Sequence, residues 1–362
     1  MPASPNTPRK GRGALSNPEG RFEDCRHEYL QDGWEQPEAE DLPPLETTVT
    51  PEPARSIISR NQSPDIPFAQ SINPYRGCEH GCIYCFARPS HAYLNLSPGL
   101  DFETKLFYKD HAAELLEREL RKPGYRCQPI ALGANTDPYQ PIERKLEVTR
   151  SLLLVLQRFR HPVTIITKST LITRDLDILA EMAKQGLATV MVSVTTLDAG
   201  LKRTLEPRTP SARSRLQTVH ALAMADVPVG VLTAPIIPMV NDADMEHILE
   251  QAAAAGACCA GYVLLRLPHE LKELFREWLE LHLPDRAQHV MSLIRQSHGG
   301  KDYAAEFGTR MRGTGEYAEL IAQRFRLTCK RLGLLPARRM RLSSAHFQVP
   351  STCPQLDLLW GP

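Results

Sequence analysis

The sequence predicts an α/β fold built on one parallel sheet, and three observations carry that prediction. Apolar strand-like runs alternate with amphipathic helical segments six times between about residues 68 and 283. Several of those runs are continuously apolar, as in VMVSV and GVLTA, which suits strands buried on both faces of a parallel sheet. Three cysteines then crowd into the loop that follows the first strand, where open parallel sheets gather their chemistry.

Taken in order, the first strand is read over 68–75 (FAQSINPY), with a helix over about 109–121 after the cysteine loop. The second strand covers 129–134 (PIALGA) and leads to a helix over 143–159. The third covers 163–168 (VTIITK), and Thr173 is the expected N-cap of the helix beyond it. Strand four (188–194) is followed by a helix over 211–225, strand five (227–234) by one over 242–256, and strand six (261–267) by one over 270–282. Six strands each leading into a helix imply right-handed crossovers and a sheet that is either doubly wound or curled into an incomplete barrel.

Outside this core the pattern changes. Residues 1–50 are rich in Pro, Gly and acidic residues without apolar periodicity, and are expected to be largely disordered or wrapped over the domain. Residues 51–283 are expected to form the β/α domain itself. Residues 284–362 are expected to form a helical C-terminal extension that caps the sheet.

The bulk numbers exclude several classes. With 42% hydrophobic and 23% charged residues, the chain has an ordinary globular composition. A net charge of +1 gives no global field that would favour nucleic acid or an anionic membrane. There is no signal-peptide-like opening and no run of 18 apolar residues, so the expectation is a cytoplasmic protein without a membrane partner. Nine cysteines, unevenly spread over 362 residues, do not read as a secreted disulfide framework. One basic stretch, Arg324, Arg326, Lys330, Arg331, Arg338, Arg339 and Arg341, is either a solvated helix face or a contact for nucleic-acid phosphates.

The chemistry concentrates in Cys78-Glu-His-Gly-Cys82-Ile-Tyr-Cys85. Three thiolates so close repel one another unless a soft metal neutralises them. Structural zinc wants four closed ligands; no second cysteine pair follows, although His80 or His91 could complete a Cys3His site. Alternatively, three cysteines hold three irons of a cubane and leave the fourth open. The readings left by the residues are thus a catalytic iron–sulfur protein, a zinc-binding nucleic-acid or adaptor protein, and a non-catalytic iron–sulfur redox sensor.

The C-x3-C-x2-C motif with an aromatic residue before the last cysteine, placed after strand one of a six-unit β/α chain, resembles the radical S-adenosylmethionine (SAM) superfamily. The resemblance implies an incomplete (β/α)6 barrel and a 4Fe–4S cluster on Cys78, Cys82 and Cys85. It further implies SAM on the open iron, cleaved to a 5′-deoxyadenosyl radical, with an electron donor such as flavodoxin or ferredoxin as partner. It places Tyr84 against the adenine, and Asn135, Lys168, Ser193, Thr195 and Arg208 among the residues that contact SAM. Glu206 and Arg208 either pair with each other in a turn or serve the ligand, and Asp137 either serves it or fixes the turn before Pro138. No catalytic residue beyond these is assigned.

Within the superfamily the nearer likeness is to the group that includes spore photoproduct lyase, which acts on a DNA lesion. Lysine after strand three and serine after strand four carry it. In that group a cysteine just after strand two returns a hydrogen atom; Asn135 stands there in this chain, and Cys127 lies before the strand. The segments GRGALSNPEGRFE, INPYRGCEHGCIYCFARPSHAYL and HFQVP extend the likeness to a widespread bacterial set of radical SAM proteins. That likeness implies cofactors and fold and leaves the reaction open, with a nucleic-acid lesion or modification as the candidate substrate.

Overall fold

The computed structural model describes residues 9–22, 45–340 and 342–351. Six strands form the predicted parallel sheet in sequence order: β1 (Gln70–Ile72), β2 (Ile130–Leu132), β3 (Val163–Thr167), β4 (Ala188–Ser193), β5 (Val229–Ile236) and β6 (Cys259–Leu264). Each is followed by its covering helix: α1 (Ala112–Leu120), α2 (Val148–Arg158), α3 (Leu176–Lys184), α4 (Ala212–Met224), α5 (Met245–Ala254) and α6 (Leu271–His282). Two short strands extend the edges, Ser59–Arg60 antiparallel to β1 and Leu335–Pro336 parallel to β6. The sheet runs from one edge to the other without closing, which is the open, partial-barrel arrangement.

Register explains how the sheet can be buried on both sides and still hold a site. Ile72, Leu132, Ile165, Val190 and Val229 align across five strands and pack into the main core with the helices. The alternate row is small or polar: Ser71, Ala131, Thr164 and Thr189 face the other way at matching positions. Large aliphatics therefore anchor the helices, and small residues line the concave side.

Several sequence-based boundaries move. β1 stops at Ile72, because Tyr75–Arg76 turns away to pair with Lys105–Lys109, which in turn pairs with Thr48–Glu52 in a separate three-stranded sheet. That strand also claims Lys109, so α1 starts later than its amphipathic pattern suggests. Thr173 is not an N-cap. A tight helical turn over Thr170–Asp175 precedes α3, capped by Ser169, whose Oγ accepts from the Leu171 amide at 3.2 Å, while the Thr173 hydroxyl donates to the Thr170 carbonyl at 2.9 Å. The helix is entered one turn early, directly from the strand end.

The remaining segments close the ends of the sheet. Helices α7 (Ala287–Ser297) and α8 (Gly315–Leu332) follow α6, with α8 lying along α5 through an Arg324–Glu246 ion pair at 2.7 Å. The segment between α7 and α8 crosses the open side of the barrel: the Leu264 amide donates to the Met311 carbonyl at 3.0 Å, and Arg310 pairs with Asp65, beside the β1 edge, at 2.6 Å. The HFQVP segment crosses the opposite end, where Phe347 packs on Tyr125, Phe159 and His161 and Gln348 donates to the Phe159 carbonyl at 3.1 Å. No helix among the described residues is long and apolar enough to cross a membrane.

Candidate functional site

The cysteine loop leaves β1 and is fixed from several sides by backbone hydrogen bonds. Cys78 N–H donates to the Phe102 carbonyl at 2.9 Å, Ile83 N–H to Leu205 at 3.1 Å, and Cys85 N–H to Cys82 at 3.2 Å. Arg208 N–H donates to the His80 carbonyl at 3.3 Å, so the segment after β4 cradles the loop. Cys78 and Cys82 are buried, Cys85 is half-buried, and all three are free thiols.

A second brace lies beneath the loop. Arg88 is fully buried; its Nε donates to the Cys82 carbonyl at 2.9 Å, and its guanidinium forms an ion pair with Glu103, also fully buried. Glu103 in turn accepts the Gly13 amide at 3.0 Å and the Ala14 amide at 2.8 Å, while Arg12 donates to the Glu103 carbonyl at 2.8 Å. The leader is thereby tied to the loop. A side chain on Gly13 would place its Cβ 1.8 Å from the Gly81 carbonyl oxygen, so only glycine allows this approach.

The residues singled out from sequence gather at the carboxyl ends of β1 to β4. Tyr84 is buried; its hydroxyl lies 3.2 Å from Thr195 Oγ1 and donates to the Glu206 carboxylate. Lys168 directly follows β3, with Nζ 5.7 Å from the Tyr84 ring centroid, and no hydrogen bond or ion pair of that ammonium occurs among the described residues. The Ser193 carbonyl accepts from Arg215 Nη1 at 3.0 Å. Asn135 donates its backbone amide to the Asn73 side chain at 3.0 Å, joining the loops after β1 and β2. Arg208 does not pair with Glu206; it sits 3.3 Å from Glu79 of the cysteine loop.

Glu206 instead meets Arg215, a residue that no motif or periodicity marks. The two form a fully buried ion pair, completed by Thr209, whose hydroxyl donates to Glu206 at 3.0 Å. Burial opposes ionisation of Glu206, yet the Arg215 and Lys168 cations overcome it and hold the carboxyl at about 2. Asp137 is a turn fixer: it accepts from Thr167 Oγ1 and the Lys168 amide, both at 2.7 Å, and from the Tyr139 amide at 2.9 Å. Gly133 serves packing, since a Cβ there would lie 2.1 Å from the Ile166 carbonyl oxygen of β3.

The three thiols are soft donors of the kind a cluster takes. His91, one of the two candidates for a fourth zinc ligand, spends Nε2 on the Lys105 carbonyl at 2.9 Å, while its Nδ1 and that of His80 are buried without a hydrogen-bond partner among the described residues. Burial, with Asp137 and the other two thiols adding to it, pushes the Cys78 thiol well up; burial likewise raises Cys82 to about 12. A site that penalises thiolates this way is one that a cationic iron core would stabilise, and three soft donors suit iron–sulfur ligation.

Comparison with known proteins agrees with this arrangement. Residues 72–252, half of the chain, match the radical SAM superfamily. An uncharacterised protein of Mycobacterium tuberculosis is 38% identical over 233 residues, which cover 64% of this chain and 68% of that one. An uncharacterised protein of Methanocaldococcus jannaschii is 27% identical over 178 residues, 49% of this chain and 63% of that one. Among solved structures, spore photoproduct lyase complexed with dinucleoside spore photoproduct superposes with a TM-score of 0.57 at 14% identity, covering 80% of this chain and 81% of that one. At that identity the superposition shows a shared fold.

Proposed function

The chain belongs to the radical SAM superfamily and is a radical SAM enzyme, and from that premise we propose that Cys78, Cys82 and Cys85 ligate a 4Fe–4S cluster used for reductive cleavage of SAM. Membership implies both cofactors. When bound, the cluster on these three cysteines would supply the electron for SAM cleavage, and SAM the 5′-deoxyadenosyl group for hydrogen abstraction.

The observation that carries the reading is the Lys168 ammonium, unpaired among the described residues, facing Tyr84 beside three free thiols, two buried and one half-buried. Each of this chain's own residues has a defined task. Lys168 offers the cation for the SAM carboxylate, held at the strand end by the hydrogen bond that its backbone N–H donates to the Asp137 carboxylate. Tyr84 presents its ring to the adenine, and its hydroxyl bonds to Glu206 and Thr195 fix that ring's orientation. Ser193, Thr195 and Asn135 line the ends of β4 and β2 for the polar parts of SAM. Arg208 draws Glu79 and keeps the cysteine loop closed over this surface. A flavodoxin or ferredoxin is the electron donor of the proposal.

A nucleic-acid substrate is a second reading, favoured by the fold shared with spore photoproduct lyase. The basic C-terminal stretch adds little to it, because Arg324 is paired with Glu246 and Arg331 with Glu250. The ligand assignment is tested by anaerobic reconstitution with iron and sulfide. The expected result is about four irons and four acid-labile sulfides per chain, lost on Cys78→Ala, Cys82→Ala or Cys85→Ala. One zinc per chain without sulfide contradicts it.

A further inference from the structure

Arg266 stands two residues beyond the end of β6, on the rim of the barrel. Its guanidinium lies 5.0 Å from the ring centroid of Phe86, the residue directly after Cys85. β1 and β6 are at opposite ends of the parallel series, so this contact reaches across the open side of the barrel from the cysteine loop. Phe86 is 42% exposed, and its ring forms an apolar floor on which the flat cation rests.

Among the described residues Arg266 has no anionic partner. Among the described residues its one hydrogen-bond acceptor is the Met311 thioether sulfur, 3.3 Å from Nη1. Its Nε is buried and has no partner. Asp65 pairs with Arg310 at 2.6 Å and Glu270, four residues after Arg266, lies 2.8 Å from Arg21, and among the described residues no carboxylate forms an ion pair with Arg266. A guanidinium carries five donors in a planar fork, and a thioether is a poor acceptor for any of them. A half-buried cation left in this state is costly, and a rim position beside the reacting centre is where a ligand can supply the missing charge.

We infer that Arg266, seated on Phe86, binds an oxyanion of the substrate, a phosphate or a carboxylate. The inference rests on the reading of the barrel mouth as the reaction chamber. Lys168 and Arg266 then divide the anions of the site: Lys168, at the end of β3, takes the SAM carboxylate, and Arg266, separated from it by β4 and β5, anchors the substrate on the far rim. The fork geometry selects two oxygens on one centre, and the Phe86 ring favours a flat group next to them.

The test is calorimetric titration of the reconstituted full chain at low ionic strength with inorganic pyrophosphate and, in a parallel arm, glutarate. The expected result is saturable binding of one of these anions, weakened roughly tenfold or more by Arg266→Gln. Arg266→Lys is expected to recover part of the affinity, because it restores charge without the fork. Arg331→Gln, a surface arginine paired with Glu250, is expected to bind as the parent does. Tighter pyrophosphate binding assigns a phosphate, and tighter glutarate binding a carboxylate. The inference is overturned if Arg266→Gln binds like the parent, if Arg331→Gln loses affinity equally, or if neither anion binds. The readout is binding, so its failure is distinct from a failure to cleave SAM.

Discussion

At Cys78, withdrawal from water acts in the same direction as the charge of Asp137 and of the neighbouring thiols, so the free thiolate is disfavoured, a penalty that the cationic core of the proposed cluster would relieve. The opposite logic governs Lys168 and Arg215. Both are held charged by carboxylate and thiol neighbours despite burial, and only Arg215 has a direct anionic partner. Lys168→Gln is therefore expected to weaken SAM binding by roughly tenfold or more, with Lys168→Arg intermediate, as read by equilibrium dialysis on the reconstituted protein. Glu206→Ala strands Arg215 in the interior and is expected to cost about 3–5 kcal/mol in urea unfolding. Tyr84→Phe removes one bond to the same carboxylate and is expected to cost about 1–3 kcal/mol. Equal costs for the two would show that Arg215 finds another partner.

Secondary elements carry a different part of the account. The six strands and their helices were legible because each presents an apolar period and a turn signal, and the cysteine loop because its spacing is local. Arg88, Glu103 and Arg215 were not legible: each acts through a partner 9 to 91 residues away, and no periodicity marks a charge that is buried because it is paired. The alternation inside strands such as VMVSV was also hidden, since Met191 and Ser193 differ from the valines in which face they line rather than in whether they are buried. The leader illustrates the same limit. Its glycine-rich composition suggested disorder or wrapping, whereas Gly13 is needed because the chain passes against Gly81. Gly13→Val is expected to displace this segment and to speed air bleaching of the reconstituted cluster, followed by absorbance at the sulfide-to-iron band. Bleaching at the parent rate would mean that the leader does not shield the loop.

For the molecule as a whole, the proposed site lies at one end of the barrel and aromatic packing closes the other. At the sealed end His161 is fully buried, 2.8 Å from the Tyr125 hydroxyl and packed against Phe347. Burial lowers its pKa to about 4 from 6.5, against a smaller opposing pull from the Pro162 carbonyl. Between those values the unfolded chain binds a proton that the folded chain refuses, so stability falls as pH drops from 6.5 towards 4. His161→Gln is expected to flatten that part of the pH–stability curve by about 2–3 kcal/mol relative to the parent. An unchanged slope in thermal melts across this range would remove His161 as its source.

The central claim is that three cysteines, Lys168 and Tyr84 together make a site for reductive SAM cleavage. The most direct measurement is anaerobic incubation of the reconstituted protein with dithionite and SAM, followed by chromatography for 5′-deoxyadenosine. The account predicts 5′-deoxyadenosine and methionine in equal amounts, both abolished in Cys82→Ala. A fully loaded cluster that is reduced and reoxidised without releasing either product would contradict it.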